Sequence, residues 1–228
     1  MTARPAAGGG RWVDVPPERL SKWISGFRTR HGSVTVERPD ATPPGGWITL
    51  VGDDGSRATF HTPAGAVVPP PTGEPSLLDL DRLVAAAEED RTLGLLLARK
   101  NAVAIGVIKN GAVATSKVER YYVQARTAAG GWSQQRYARR RGNQATAAVR
   151  DAAEIVLRVV EPYRRQLSAL VCGGDRTTVD AILEDPRLAE LAALRSARLL
   201  DVPEPRYAVL EEAAVTARSV TIHVLDPS

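Results

Sequence analysis

The residues with the strongest chemical character lie together at positions 130–144, which read GGWSQQRYARRRGNQ. This segment joins two glycines to a pair of glutamines and four arginines, and it contains no Asp, Glu, His or Cys. Side-chain amides donate and accept hydrogen bonds but do not exchange protons near neutral pH. The segment therefore predicts a site that acts by positioning and by charge, without a titrating base or a nucleophile.

The glycines and glutamines suit a narrow, polar site. Gly130 and Gly131 permit backbone angles closed to other residues, so a loop that carries them can approach a ligand closely. The amides of Gln134 and Gln135 can orient a water molecule or stabilise a developing oxyanion. The alternative interpretation is that both glutamines are solvent-facing residues at the start of a helix.

Positive charge is concentrated in the same region. Residues 121–150 contain six arginines and no acidic residue, whereas the rest of the chain has 24 basic and 26 acidic residues. This segment thus supplies more than the whole net charge of +4. A charge run is often only a solvated face, but clustered arginine without acidic partners favours phosphate recognition. Four arginines at near-helical spacing are predicted to clamp nucleic-acid phosphates: Arg136, Arg139, Arg140 and Arg141.

Metal and thiol chemistry are poorly supported elsewhere in the chain. His31, His61 and His223 are far apart and have no Cys or carboxylate partners at ligand spacing, so we expect no metal site. Cys172 ends an apolar run and is expected to be a small core residue. The sequence therefore predicts neither a metal nor another cofactor.

Two further patterns have structural explanations. Residues 172–178, CGGDRTT, follow an apolar run but lack the lysine and the spacing of a phosphate-binding loop, so a tight strand-to-helix turn is predicted. The strands expected over residues 93–108 contain no Asp or Glu. A metal-dependent nuclease of the ribonuclease H type needs several carboxylates, which argues against that activity.

The elements that position these residues fall into three predicted parts. Residues 1–11 are expected to be a disordered tail. Residues 12–75 are expected to form a small α+β region: a helix ending near Gly32, then short strands that include a hairpin at Asp54-Gly55, then a proline-rich linker. Residues 76–228 are expected to form the main domain.

Strands and helices alternate along the main domain. β-type runs joined at Asn110-Gly111 precede the loop that carries Gly130 and Gly131, which we call the glycine loop. A long helical pattern then covers about residues 133–167, with a break considered near Gly142. Further strands and helices follow to residue 225. The pattern predicts an α/β fold, a mixed sheet with packed helices. The buried stripe expected on the long helix is Val149, Ala152, Val156, Val159, Val160 and Tyr163.

The composition suits a globular protein of a reducing compartment. One cysteine in 228 residues excludes an internal disulfide framework. The N-terminus has no apolar run of the kind found in signal peptides, and no later segment is apolar enough to span a membrane. We expect a cytoplasmic protein.

One segment resembles a known family. Residues 130–141, followed by the alanine- and valine-rich VRDAAEIV, are similar to the catalytic domain of archaeo-eukaryotic class I peptide release factors, in which a Gly-Gly-Gln loop precedes an S-x-x-R-[FY]-A-R-x-R helix start. The similarity is greatest to the actinobacterial Vms-like release factors of ribosome quality control, and it covers roughly residues 92–220. The residues that match the helix start are Ser133, Arg136, Tyr137, Ala138, Arg139 and Arg141.

The resemblance implies a ribonuclease-H-like sheet and hydrolysis of the ester between nascent peptide and transfer RNA in the peptidyl-transferase centre. Aligned without a gap, the family glutamine falls on Trp132; one inserted residue places the Ser-Gln of the Vms-like branch at Ser133-Gln134. The implied catalytic residues are Gly130, Gly131, Ser133, Gln134 and Gln135, with Gln144 as a third choice of glutamine. The implied RNA-binding residues are Arg126, Trp132, Arg136, Tyr137, Arg139, Arg140 and Arg141.

Two functions remain open at this point. The first is a metal-independent peptidyl-tRNA hydrolase whose partners are the ribosome and peptidyl-tRNA. The second is a non-catalytic ribosome- or RNA-binding protein that uses the same basic loop. In either case we expect a monomer that binds neither DNA nor membranes. Two roles are open for Trp132: it packs on its own domain, or it stacks on a nucleotide base.

Overall fold

The chain divides into two compact units. Unit 1 comprises residues 1–90 and 215–228, and unit 2 comprises residues 91–214. This division falls after the start predicted for the main domain at residue 76, and it returns the last residues of the chain to unit 1. The structure, a computed structural model, describes three stretches: residues 2–39, 45–121 and 133–227.

In its described residues, unit 1 has six strands and two helices, numbered in chain order. The strands are β1 (Thr2–Pro5), β2 (Arg11–Val15), β3 (Val34–Glu37), β4 (Ile48–Gly52), β5 (Arg57–Phe60) and β11 (Val220–Leu225). The helices are α1 (Pro17–His31) and α2 (Leu77–Glu88). The strands form one antiparallel sheet in the order β1-β2-β11-β5-β4-β3.

Apolar and polar residues alternate between the two faces of this sheet along β11, and the residues on both faces of that strand are buried. In β11, Val220, Ile222 and Val224 belong to the apolar core, while the residues between them are polar. Leu20 and Phe27 of α1 enter the same core. As predicted, α1 ends before Gly32, whose φ of 78° is readily adopted only by glycine.

Residues 2–5 of the N-terminal tail form strand β1, so the prediction of disorder for residues 1–11 is wrong for these residues. β1 pairs with β2 in antiparallel register from Thr2↔Asp14 to Pro5↔Arg11. Arg4 Nη1 lies 2.5 Å from the carboxylate of the buried Asp14. A partner strand and an ion pair therefore order a segment whose own composition has no apolar core residues.

Unit 2 is built on a five-stranded mixed sheet, which confirms the predicted fold class. Its strands are β6 (Thr92–Arg99), β7 (Ala102–Lys109), β8 (Ala112–Arg120), β9 (Leu167–Gly174) and β10 (Arg195–Leu200). The order is β10-β9-β6-β7-β8, with β10, β9 and β6 parallel and β7 and β8 antiparallel to their neighbours. The predicted Asn110-Gly111 turn is present, with positive φ at both residues. A second turn at Lys100-Asn101 splits the run that the sequence pattern left continuous.

Four of the described α-helices belong wholly or mainly to unit 2: α3 (Ser133–Val159), α4 (Arg176–Leu183), α5 (Ala189–Ala193) and α6 (Tyr207–Arg218). α3 is continuous through Gly142, so the break considered there does not occur. It ends at Val159, short of the predicted end, and Glu161–Gln166 continue as a 3₁₀ helix that begins next to Pro162. The predicted apolar stripe is confirmed, since Ala152 and Val156 are buried and Val149 and Tyr163 pack against them. None of the helices in the described stretches is long and apolar enough to cross a membrane.

Residues 172–178 form the predicted strand-to-helix turn. Gly174 has a φ of 95°, and a Cβ at this position would lie 2.3 Å from the carbonyl oxygen of Ala98. The next residue, Asp175, accepts hydrogen bonds from the hydroxyls of Thr177 and Thr178 in the first turn of α4. The glycine thus allows two strands to approach closely, and the aspartate organises the start of the helix.

Candidate functional site

The segment that contains the predicted site follows the end of β8, at one edge of the mixed sheet. Ala102, the first residue of β7, pairs with Arg99 at the end of β6 and with Arg120 at the end of β8. The ends of β6 and β8 therefore lie at the same edge, which we call the carboxyl edge. The described chain stops at Tyr121 at this edge and resumes at Ser133, the first residue of α3.

Tyr121 holds α3 at this edge. Its backbone N–H donates to the carbonyl of Asn101 at 2.7 Å, and its hydroxyl donates to a carboxylate oxygen of Asp151 at 3.0 Å. Burial, reinforced by the neighbouring Asp151 carboxylate, raises the pKa of Tyr121 well above its ordinary value. The hydroxyl consequently remains a hydrogen-bond donor at any physiological pH, and the contact with α3 is retained.

The first half of α3 extends beyond the sheet. Because Asp151 lies at the carboxyl edge and the fully buried stripe of α3 begins at Ala152, residues 133–150 precede the fully buried part of the helix. Of these residues, Val149 packs partly against the core. We call these residues the α3 extension. Eighteen residues of α-helix correspond to about 27 Å, so the first turn of α3 is far from the core that holds the helix in place.

Residues 144–149 of the extension are uncharged. Ala145, Thr146 and Ala147 are exposed. The amide oxygen of Gln144 is shielded from solvent and has no hydrogen-bond partner among the described residues. Arg150 is exposed immediately before the contact with Tyr121. The four remaining arginines of the extension lie further out, between residues 136 and 141.

Most of the predicted site residues lie in the first three turns of α3. Ser133, Gln134 and Gln135 form the first turn of α3, where backbone N–H groups have no partner within the helix. The next two turns carry Arg136, Tyr137, Arg139, Arg140 and Arg141, whose side chains are outside the described part. Arg126, Gly130, Gly131 and Trp132 also lie outside the described residues.

Two arginines form ion pairs at the carboxyl edge. The guanidinium of Arg99 donates to the carbonyl of Val202 from Nε at 2.9 Å, and it lies 3.7 Å from Asp201. Arg120 pairs with Glu204 at 3.2 Å. Sequence reasoning did not identify these residues or the Tyr121–Asp151 contact. No local pattern could reveal them, because the partners are 30 to 103 positions apart.

Unit 2 contains no histidine, and its one cysteine, Cys172, is buried. All three histidines belong to unit 1, where His31 contacts Asp54 and the other two, His61 and His223, flank the ring of Trp12. Burial raises the pKa of the Cys172 thiol to about 12, and its side chain is in the core as predicted. Among the described residues, no group of three or more His, Cys, Asp and Glu side chains is arranged to hold a metal ion.

Charge is distributed unequally between the two units. Unit 2 contains 20 Lys and Arg and 13 Asp and Glu residues, which makes its net charge +7. Unit 1 contains 10 Lys and Arg and 13 Asp and Glu residues, which makes its net charge −3. The unit that carries the α3 extension is therefore suited to a polyanionic partner.

Comparison with known proteins gives one family and several similar structures. Residues 91–223 match the family described as Actinobacteria/chloroflexi VLRF1 release factor. The crystal structure of the archaeal translation termination factor aRF1 is 15% identical over 90% of this chain and 63% of that chain, with a TM-score of 0.45. No curated protein matches the sequence.

Two further structures are similar. The Vms1 mitochondrial localization core is 10% identical over 89% of this chain and 81% of that chain, with a TM-score of 0.42. Pelota of Archaeoglobus fulgidus is 13% identical over 96% of this chain and 66% of that chain, with a TM-score of 0.32. The chain thus spans under two thirds of the archaeal termination factor and of Pelota.

Proposed function

The chain belongs to the VLRF1 release factors of Actinobacteria and Chloroflexi, and on this premise we propose that it is a ribosome-rescue peptidyl-tRNA hydrolase of the cytoplasm. The observation that carries the proposal is the α3 extension. A helix that projects about 27 Å can bring its first turn into a narrow cavity that the sheet could not enter. Gly130-Gly131 lie directly before this turn, and four arginines follow within three turns.

The reaction is hydrolysis of the ester that joins the nascent peptide to the terminal ribose of transfer RNA. A water oxygen attacks the ester carbonyl carbon, the bond to the ribose oxygen breaks, and the products are a peptide carboxylate and a ribose hydroxyl. Catalysis needs an oriented water and hydrogen-bond donors for the oxyanion that develops. The amide of Gln134 and the free N–H groups of the first turn of α3 are the donors that we propose.

Gln134 is the first candidate among three glutamines. Gln135 is adjacent to it, and either side chain would be near the glycine loop. Gln144 lies ten residues further along α3, about 15 Å along the helix axis, and its amide oxygen is shielded from solvent. The position and burial of Gln144 therefore favour a role in packing.

The arginines of the extension supply affinity in this proposal. Guanidinium groups bind phosphates with paired hydrogen bonds, and their charge does not depend on pH. Because residues 121–150 contain no acid, these arginines have no acidic partner within their own segment. They are thus suited to the phosphate backbone of ribosomal RNA or transfer RNA on either side of the loop.

A second function is a non-catalytic ribosome- or RNA-binding protein. It is favoured by the absence from unit 2 of any histidine and of any reactive thiol. The two functions share the same binding surface, so affinity does not distinguish them. They differ in whether the ester is broken.

Stalled ribosomal complexes that carry labelled peptidyl-tRNA test the proposal. We expect wild-type protein to bind the complexes and to release free peptide, and Gln134→Ala to bind with little release. Binding by both proteins with no release by either would establish the non-catalytic function. Failure of the wild-type protein to bind would contradict both.

A further inference from the structure

A second basic surface lies on α1, outside the residues that match the release-factor family. Arg19, Lys22 and Arg30 are exposed on this helix. At 100° per residue, the three lie within an arc of about 80° on one flank of α1. We call them the α1 stripe; from Arg19 to Arg30 it runs about 16 Å along the helix axis.

The charges of the α1 stripe are not neutralised by the described parts of the protein. None of the three side chains forms an ion pair there, whereas Arg4, Arg11 and Arg57 of the same unit each contact a carboxylate. Helix α1 contains four of the ten basic residues of unit 1 and only one of its thirteen acidic residues. A cationic surface is therefore localised on a unit that is acidic overall.

One position between these cations has no side chain. Gly26 lies between Lys22 and Arg30 on the same flank, and a Cβ there would be 3.4 Å from a guanidinium nitrogen of Arg30. Nearby, the backbone carbonyl oxygen of Ser25 accepts a hydrogen bond from the Thr29 hydroxyl at 3.0 Å. A backbone that carries phosphates can approach the helix closely at Gly26, because this position has no side chain.

The composition of this flank distinguishes among possible partners. The apolar residues of α1 face the core of unit 1, and none of the exposed large hydrophobic residues lies on this helix. Insertion into a lipid surface needs an exposed apolar face, and protein interfaces are built around an apolar centre. A polar flank whose charges are mainly arginine and lysine, with Glu18 at its N-terminal border, is typical of phosphate contacts along nucleic acid.

We propose that the α1 stripe binds the phosphate backbone of structured RNA, as a contact separate from the α3 extension. Only the identity of this RNA as ribosomal RNA rests on the proposed function. The stripe contributes affinity and orientation, and it takes no part in the chemistry.

The same helix offers a matched control. Arg28 is also exposed and without an ion pair in the described structure, but it is 160° around the helix from Arg30. Arg30→Ala and Arg28→Ala remove the same side chain and the same charge from the last turn of α1. Binding of the full chain to a labelled RNA hairpin is measured by fluorescence anisotropy over a range of salt concentrations, with vesicles containing phosphatidylserine as a second probe.

We expect Arg30→Ala to weaken hairpin binding several-fold and Arg28→Ala to leave it nearly unchanged. Replacing Arg19, Lys22 and Arg30 together by Gln is expected to lower the slope of log affinity against log salt by about two units, since each phosphate contact contributes roughly 0.7 to 0.9. Arg30→Lys should retain the slope. Circular dichroism verifies that each variant is folded.

Equal effects of Arg28→Ala and Arg30→Ala, or an unchanged slope in the triple variant, would overturn the inference. So would stripe-dependent binding to the vesicles but not to the hairpin. If the wild-type protein binds the hairpin through the stripe but releases no peptide from stalled ribosomes, the inference stands and the proposed hydrolase function fails.

Discussion

The side chains assigned to the proposed site have no proton to transfer near neutral pH. A positioned side-chain acid or base typically accelerates a reaction about 10² to 10⁴-fold, and unit 2 has no histidine that could supply this contribution. The rate must then come from orientation and from hydrogen bonds to developing charge. A glutamine amide does both, and its strength does not change with pH in the physiological range.

Gln134→Ala is expected to reduce peptide release by on the order of a hundredfold or more, since losing one oxyanion-type donor has this effect. Ribosome binding should be retained because the arginines remain. The measurement is the release rate at saturating protein. Gln135→Ala should be milder and Gln144→Ala near the wild-type rate; wild-type release by both Gln134→Ala and Gln135→Ala would refute the assignment.

Asp175 provides a prediction for stability against pH. The hydroxyl of Thr178, with that of Thr177, lowers the pKa of the Asp175 carboxylate. Since the folded pKa is below the unfolded value of about 3.9, this stabilisation is present above that pH and is lost as the pH falls through the folded pKa. Asp175→Asn should therefore destabilise unit 2 at pH 6, with the difference shrinking toward pH 3.

Urea unfolding of both proteins between pH 3 and pH 6 measures this difference. Asp201→Asn is the control, because its carboxylate also lies at the carboxyl edge but is 96% exposed. A pH-independent difference for Asp175→Asn would show that the carboxylate is not the stabilising group.

The α3 extension is the element on which the proposed function depends. Its inner end is held by Tyr121 and Asp151, and its outer end carries the glycine loop and the arginines. A continuous helix transmits the position of the inner end to the outer one. The proposed function therefore requires continuity through residues 144–150, although this stretch contributes little to the core.

Ala147→Pro tests that requirement. Proline removes one backbone hydrogen bond and clashes with the preceding turn, so the helix kinks. Ala147 is exposed, and we expect peptide release to fall at least tenfold while unit 2 remains folded. Ala147→Ser is the control, expected to release peptide at nearly the wild-type rate. Full activity of Ala147→Pro would mean that the rigid extension is unnecessary.

The arginines of the extension are expected to act through affinity. Replacing Arg136, Arg139 and Arg140 by Ala should weaken ribosome or transfer-RNA binding and reduce the salt slope by roughly one unit per lost contact. Release at saturating protein should change much less than binding. A salt titration identical to that of the wild-type protein would contradict this role.

At the scale of the whole molecule, the two ends of the chain meet in one sheet. β11 lies between β2 and β5 and pairs with both, so it occupies an interior position in the sheet of unit 1. Val220, Ile222 and Val224 are buried there. The sheet of unit 1 therefore needs β11, which follows the residues of unit 2 in the sequence.

Removal of residues 220–228 should unfold unit 1, because it separates β1-β2 from β5-β4-β3 and exposes three core residues. Hydrogen exchange should show lost protection in β2 and β5 and retained protection in β6 and β9. A chain lacking only residues 227 and 228 is the control. Protection of β2 equal to that of the control would show that the sheet does not need β11.

Local chemistry in the sequence determined the helices, the turns and the proposed chemistry. Gly32, Asp54-Gly55 and Asn110-Gly111 require backbone angles or turn types that few residues adopt, so each marks its element boundary without knowledge of the fold. The apolar period of residues 149–160 likewise predicted the buried side of α3. The amides and arginines of residues 130–144 defined a candidate site by residue type alone.

Only the tertiary structure decided which distant segments are partners. The order of the N-terminal tail, the place of β11 between β2 and β5, and the contact of Tyr121 with Asp151 all depend on residues far apart in the chain. A strand carries the same alternating pattern whichever neighbour it pairs with, and a helix carries the same stripe whether or not it continues past the sheet. The physical reason is that sequence periodicity records which face is buried, while the identity of the covering element is settled by packing of the whole chain.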